Sequence, residues 1–496
     1  MLRRLFVILL LMVPMLSWAG GQSAATASAE EVKTVTLFMG LHPTEWTTRT
    51  AEHPVVTRAP AILAEEFMKQ YPNIKIEFAD VPELTEGDDF SAWLSAQVMG
   101  GTAPDLIRSW HNIPVQNGWA LPIGQYLDEP NPFATEYPRW RDIFYPSLMT
   151  SLIWEDGEEY CAPIRAIYPA LEVGLMYNKD YFREQGITVP SNWSELKQVS
   201  KKLKEMGTGL SPWPREAAGG HFWPLALQVL VPMLQGVAAE MDVNGDMFVG
   251  ADEALPAYQK GLIGPKTEIY QRAFREVAEL SSYWIDGFST IDVESMFKQG
   301  DLYMQYNGAW GFSTYANDPA VEFDIGFLPA FIPFPEDIPP MDGQPGAYAP
   351  QEITKGDGKV PGEYVFAIQG PDNVIMKESV ERHDNLEEVL LWWQFTTTPE
   401  NSAFLINENQ SHIPAAKDAP IGSVFQDIAK FKVPMYEYSI SWWGMGLYWD
   451  AASFVNWRKI FLSYVQDIID WDTFIDQMEQ EYQEGSARYA ETIKGN

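Results

Sequence analysis

Between Val32 and Ile107 the apolar pattern switches repeatedly between strand and helix spacing, and no other feature constrains the fold as strongly. Val32, Val35, Leu37 and Met39 mark a buried strand. Pro60 then opens a helical pattern through Leu63, Ala64, Phe67, Met68 and Tyr71, which Pro72 and Asn73 break. Ile74 to Phe78 alternates as a second strand, and Phe90, Trp93, Leu94 and Val98 return to helical spacing until Gly100-Gly101. Pro104-Asp105-Leu106-Ile107 begins a third strand. Strand, helix, strand, helix, strand is the pattern of a parallel α/β sheet, whose strand-end loops converge on one crevice.

A second α/β stretch follows. Leu171 to Tyr177 is a strand candidate, and Asn192 with Glu195 forms a capping box for a helix carrying Leu196, Val199 and Leu203. Leu386, Val389, Leu390 and Trp393 mark a further helix, interrupted by Pro399. Ile460, Phe461, Tyr464, Val465 and Ile468 mark one near the C-terminus. The Pro- and Gly-rich Phe331 to Gly362 stretch has no period and reads as a surface excursion or inter-lobe crossing. With 496 residues, the chain is too long for one core and two or three domains are expected.

Residues 1–19 read as an address. Arg3 and Arg4 precede an apolar run from Leu5 to Leu16, and Ser17-Trp18-Ala19 places small residues for cleavage after Ala19. Residues 20–31 read as a flexible N-terminus of the mature chain. The expected product is periplasmic or secreted, without stable membrane insertion. Cys161 is the lone cysteine, so no internal disulfide is possible and it makes no metal site by itself. The chain carries 34 Lys+Arg against 68 Asp+Glu, a net charge of −34, which repels phosphate backbones and disfavours nucleic acid and anionic lipid. There is no Gly-x-Ser-x-Gly, His-Glu-x-x-His, phosphate loop or dinucleotide fingerprint, so no enzymatic activity and no cofactor are expected.

Several loops after expected strands pair aromatics with polar side chains. A sugar presents hydroxyls, which charged groups bind directionally, and C–H faces, which an indole can cover. Candidate ligand contacts on this ground are Glu45 and Trp46, Trp110 and His111, Trp213 and Glu216, Phe222, and Trp443, the last within Trp442-Trp443-Gly444. Asp105 is equally a ligand carboxylate or a turn cap. Glu172 and Arg165 lie near the first expected crossing, where either binds ligand or forms a hinge ion pair; Glu172 is taken as the ligand group. The spacing of Asp242, Asn244, Asp246 and Glu253 fits a calcium loop, but Met247 occupies the place of the required Gly, and a hairpin turning at Asn244-Gly245 is preferred; no metal is expected.

The order of several short motifs resembles the bacterial extracellular solute-binding proteins of family 1, the maltose-binding-like proteins of sugar ABC importers. They are Phe67 to Glu77, Gly101-Thr-Ala-Pro-Asp-Leu106, Leu121 to Leu127, Met176-Tyr-Asn-Lys-Asp-Tyr-Phe182 with Gly186 to Leu196, Phe297 to Trp310, Phe327-Leu-Pro329, and Thr397-Thr-Pro-Glu-Asn401. The resemblance implies a two-lobed periplasmic-binding-protein fold of type II-like kind, each lobe a mainly parallel sheet flanked by helices, with the ligand cleft between them. It implies a first lobe of 32–169 plus 361–415 and a second of 170–360 plus 416–496. It further implies a monomer that binds a sugar or short oligosaccharide, hands it to membrane permease subunits, and stacks Trp310 on the sugar. The Phe222-Trp223-Pro224 string resembles the aromatic–Pro sugar loop of the maltose-binding group. Two departures stand out: Gly362 to Ile368 replaces the family's Gly-Gly segment before its third crossing, and the lipobox Cys is missing. The other classes left open are a secreted glycoside hydrolase or polysaccharide lyase, and a binding protein for a non-sugar ligand such as a polyamine.

Overall fold

The computed structural model describes residues 32–80 (without 51), 87–109, 112–166 (without 151 and 155), 174–210, 224–329 (without 246–247), 331, 352–354, 372–408, 412–426, 433–435, 438–441 and 444–495. Its strands are β1 (Lys33–Phe38), β2 (Ile74–Phe78), β3 (Leu106–Arg108), β4 (Arg165–Ala166), β5 (Gly174–Asn178), β6 (Phe248–Val249) and β7 (Met304–Asn307). They continue with β8 (Ile325–Leu328), β9 (Glu352–Thr354), β10 (Asn373–Ile375), β11 (Ile413–Pro414), β12 (Val433–Met435) and β13 (Ser439–Ile440).

The first sheet has the order β10-β3-β1-β2, with β1 parallel to both β2 and β3 and β10 antiparallel to β3. Its register sets Leu37 beside Leu106, which faces Ile375, and Phe38 beside Ile107, which faces Val374. Because successive side chains point to opposite faces, the first trio joins the main core and Ile107 and Val374 a smaller one. Helix Ala59–Gln70 covers the main-core face, with Phe67 fully buried and edge-on to Trp392 at 5.3 Å. Burying a ring of that size contributes about 2–3 kcal/mol. Helix Gly87–Gly100 covers the other face through Phe90 and Leu94, and ends at Gly101, whose φ of +68° suits glycine.

The second sheet, β7-β5-β8, departs from the expected parallel arrangement: β5 is antiparallel to both neighbours. The cause is topological. Strands β7 and β8 share a direction and are joined through helix Ala309–Ala316, while β5 lies between them running the other way. Gly326 faces Tyr177 across β5 and β8, and any Cβ there would meet the Tyr177 ring. Leu175, Tyr306 and Leu328 belong to the second large core, to which helix Glu268–Ser281 also contributes its buried face.

Local chemistry explains the helix boundaries. Asn192 Oδ1 accepts from Glu195 N at 2.9 Å, as a cap should, but Glu195 Oε2 reaches back to the Ser191 N–H and hydroxyl, one residue earlier than in a capping box. Pro399 begins a new helix, Pro399–Asn407, capped by Thr398. Ile468 falls beyond helix Ala451–Val465 and is exposed; Asp467, at φ +56°, has already turned the chain. The 332–351 and 355–362 parts of the expected excursion lie outside the described residues, but β9 falls within it and pairs antiparallel with β12. The Asp242–Glu253 stretch turns at Gly245, φ +78°, but forms no hairpin: β6 pairs in parallel with the distant β13. Glu253, nearly buried, accepts from Val243 N at 2.7 Å and Gly250 N at 3.3 Å, so its carboxylate caps a helix.

Residues 373–375 rejoin the first sheet and 413–414 pair with β4. The following residues, assigned from sequence to the second lobe, bond residues assigned to the first: Lys417 N donates to Ile143 O at 3.0 Å and Tyr137 OH bonds Asp418. Among the described residues no helix is long and apolar enough to cross a membrane.

Candidate functional site

Strands β1 and β3 run in parallel, so their carboxyl ends lie at one edge of the sheet, and β10, running the other way, begins there. Chain leaving a parallel strand cannot pair onward, so polar side chains collect at this edge. Gly40 N, just past β1, donates to Asn373 Oδ1 at 3.3 Å, and Ser109 N, just past β3, donates to Asp372 O at 2.8 Å.

The crossing segments enter at the same edge. Arg165, the first residue of β4, donates from Nε to Asp372 Oδ2 at 3.1 Å and from Nη2 to Asp372 Oδ1 at 2.5 Å. Its Nη1 lies 3.4 Å from Nε2 of the buried His412, which precedes β11. Arg165 is thus ion-paired with Asp372. A Cβ on Gly40 would lie 3.8 Å from both Arg165 Nη2 and Arg108 Cδ, so two guanidinium-bearing chains share one glycine-floored space. Burial first, and the Arg165 cation second, weaken the hold of Arg108 on its proton, against the pull of Asp372. Burial pushes the neighbouring Cys161 thiol up to about 12, so it is neutral and inert.

Among the described residues, three buried polar atoms on these loops have no hydrogen-bond partner: His42 Nδ1, Ser109 Oγ and Asn112 Oδ1. Buried polar groups are ordinarily satisfied, so these three atoms are candidates for ligand contact. Asn112 also holds φ +58°, a left-handed conformation that costs energy in a non-glycine residue. His42 packs edge-on to Phe78 at 5.4 Å, and burial lowers its pKa, opposed by Asp80.

The expected site residues divide sharply. Glu45 and Trp46 lie on the loop after β1. The Trp46 indole stacks on His53 at 4.1 Å, donates to Val55 O at 2.6 Å, and keeps 37% of its surface exposed, which leaves area for a ring. Asp105 is fully buried on the amino side of β3, away from the strand-end loops. Its Oδ2 accepts from Thr36 N, Thr36 Oγ1 and Asn385 Nδ2, and its Oδ1 from Ser379 Oγ with His383 Nδ1 at 2.7 Å. With both oxygens used by the protein, it ties the sheet to the helices after β10 and is not a ligand group. Trp310 stands at the start of helix Ala309–Ala316. Trp110, His111, Glu172, Trp213, Glu216, Phe222 and Trp443 lie outside the described residues. Sequence reasoning missed Arg108, Asp372, Asn373 and His412; only Arg108, a charge ending the apolar Leu106-Ile107 run, left a visible signal.

His412 supplies an acid-sensitive element. Burial, then the Arg165 and Arg108 charges, hold its pKa well below the ordinary 6.5. Below about pH 6.5 the unfolded chain therefore binds a proton that the native protein refuses. Stability is complete above that pH and falls toward acid by about 1.4 kcal/mol per pH unit while the difference lasts. His412→Gln is expected to flatten the decline in urea midpoint just below pH 6.5; an unchanged slope would remove His412 as its cause.

Comparison with known proteins places this edge in context. Residues 53–366, more than half of the chain, match the model of the bacterial extracellular solute-binding protein family. The maltotriose-binding protein of Pyrococcus abyssi is 24% identical over 279 residues, 54% of this chain and 50% of that protein. The diacetylchitobiose binding protein NgcE of Streptomyces coelicolor is 27% identical over 184 residues, 32% of this chain and 38% of that protein. The chain thus spans about half the length, or less, of these curated relatives. RafE of Streptococcus pneumoniae in complex with raffinose superposes with a TM-score of 0.53 at 15% identity, covering 91% of this chain and 99% of that one. The cyclic alpha-maltosyl-1,6-maltose binding protein of Arthrobacter globiformis gives 0.55 at 17% identity, covering 91% and 98%. Those likenesses establish the two-lobed α/β fold. On the family match, the chain belongs to the bacterial extracellular solute-binding proteins.

Proposed function

We propose that this protein is the substrate-binding component of an ABC importer: it takes up a sugar or short oligosaccharide between its two lobes and delivers it to membrane permease subunits. It acts as a monomer, outside the cytoplasm after removal of its signal peptide. The observation that carries the proposal is the set of unpartnered atoms on His42, Ser109 and Asn112, on the strand-end loops that also bear the exposed Trp46 indole. Hydroxyls satisfy such atoms, and an indole covers the C–H face of a pyranose. The names of the maltotriose and diacetylchitobiose binding relatives support a carbohydrate.

Hydrolysis is the weaker reading. A glycosidase needs one carboxyl that donates a proton and one that stabilises the sugar cation. Both oxygens of Asp372, the carboxylate in the Arg165 cluster, are already taken by hydrogen bonds from that guanidinium. A polyamine is also disfavoured, since its ammonium groups would meet Arg108 and Arg165 at this edge. The protein is therefore expected to return oligosaccharides intact.

Thermal melting across a saccharide panel, followed by small-angle scattering with the best ligand, tests the proposal. A ligand at a hundredfold excess over its Kd adds about 2.7 kcal/mol of apparent stability, and contact with both lobes compacts the molecule. No stabilisation by any saccharide would sink the proposal; stabilisation without compaction would remove the closure step alone.

A further inference from the structure

We propose that His53 is a positioning residue for ligand recognition: it braces the back of the Trp46 indole, so that the front face is held out as a platform for a sugar ring. The inference rests on the solute-binding reading above and adds to it a residue that touches no ligand itself.

Both residues lie on the connection from β1 to helix Ala59–Gln70. Residues 39–58 are far more than the roughly two to six that such a connection needs. Strands β1 and β2 are parallel and that helix joins them, so the helix starts at the carboxyl edge where β1 ends. The connection is anchored at both ends: Gly40 N donates to Asn373 Oδ1, while Arg58 N and Ala59 N donate to the Glu408 carboxylate at 2.8 and 2.9 Å. In between, the chain folds back on itself. Thr44 N donates to Thr57 O at 3.0 Å, and Thr57 N to Thr44 Oγ1 at 3.1 Å. Nearer the tip, Thr50 N donates to His53 O and His53 N to Thr50 Oγ1, each at 3.0 Å. His53 is thereby held through its own backbone. Its imidazole lies flat on the Trp46 indole, with centroids 4.1 Å and planes 17° apart, and the indole N–H is spent on Val55 O. One face and the polar edge of the indole are therefore taken by the loop. Trp46 nevertheless keeps 37% of its surface exposed, and the uncovered face is what remains to meet a ligand. Among the described residues no other ring stacks on it. A free indole loses rotational freedom when a ring docks on it; the stack behind it and the bond at its edge remove that freedom beforehand, which favours affinity. With its N–H already used, Trp46 offers a sugar an apolar face and no donor. His42, at the root of the same connection, carries the buried unpartnered Nδ1.

The test is a double-mutant cycle read by calorimetric titration, with maltose, cellobiose, chitobiose, xylobiose and the corresponding trisaccharides as probes. Trp46→Ala is expected to weaken the best-bound probe about 10- to 100-fold, and His53→Ala about 5- to 10-fold. In the Trp46→Ala background His53→Ala should cost nothing further, because His53 acts only through the indole. His53→Phe keeps a flat ring behind the indole and should bind within about twofold of the parent. His53→Gln keeps bulk and polarity without the ring and should bind like His53→Ala. Every variant is expected to melt near the parent, because neither residue belongs to a hydrophobic core. If His53→Ala melts early, the comparison of His53→Phe with His53→Gln decides. An equal loss from His53→Ala with and without Trp46, or His53→Phe binding no better than His53→Gln, would overturn the positioning role. Parental affinity in Trp46→Ala would overturn the platform and leave the solute-binding reading intact. Failure of every saccharide to bind would overturn both readings.

Discussion

Asp105→Ala is expected to destabilise the protein by about 3–5 kcal/mol, lowering the urea midpoint with little change in its slope. The carboxylate is inaccessible to solvent and sits between β1, β3 and the helices after β10. Removing it takes the shared acceptor from the backbone N–H and hydroxyl of Thr36 and from His383, and leaves Ser379 and Asn385 with only their bonds to Ala103 O and Thr34 O. Each buried donor left unmade costs about 1–3 kcal/mol, part of which entering water recovers. Asp105→Asn should fare little better, because its amide NH2 would have to face groups that already donate. Were Asp105 a ligand residue, the variant would melt like the parent and bind weakly; parental melting is thus the result that contradicts the hub.

The same residue shows where sequence reading stops. A carboxylate after a Pro at the head of a strand reads equally as a cap or as a ligand group, and the ambiguity is resolved by residues 274 to 280 positions away. Short-range patterns fared well for a physical reason. Ile74–Phe78 and Ala59–Gln70 are legible because a strand half-buried on one face and a helix facing a core repeat with different periods. The direction of β5 was not legible, since an apolar run looks the same whether its neighbours run with it or against it. The bonds of Lys417 and Asp418 to Ile143 and Tyr137 were not legible either, because local composition does not reveal partners so distant in sequence.

The candidate site follows the same division. Aromatic and polar pairs such as Glu45-Trp46 advertise a recognition loop, because exposed indoles are uncommon without a use. The Arg165, Asp372 and His412 cluster does not advertise itself: its members come from three segments more than 200 positions apart at the extremes, each ordinary in its own stretch. These segments flank β4, β10 and β11, so the pair ties together chain that joins the first sheet and the β4-β11 pair. Breaking one partner of such a pair costs more than the pair contributes, since a charge is left behind.

Trp310→Ala is expected to weaken saccharide binding by roughly 2–4 kcal/mol, about 30- to 1000-fold, the loss that accompanies removal of a large desolvated platform. The backbone places this residue just past a strand end. Strand β7 ends at Asn307, which pairs with Gly174, the first residue of β5 after the crossing. The chain then turns through Gly308 into helix Ala309–Ala316, so position 310 follows the strand end nearest that crossing. The turn is tight: Asn307 Oδ1 accepts from Gly308 N at 2.9 Å, and any Cβ on Gly311 would collide with that same oxygen. A core tryptophan at this position gives the opposite signature, a stability loss of about 3–5 kcal/mol. Titration calorimetry and urea unfolding of the same variant separate the two: weak binding in a stably folded protein supports the platform, and parental affinity or a stability loss that alone accounts for the weak binding removes it.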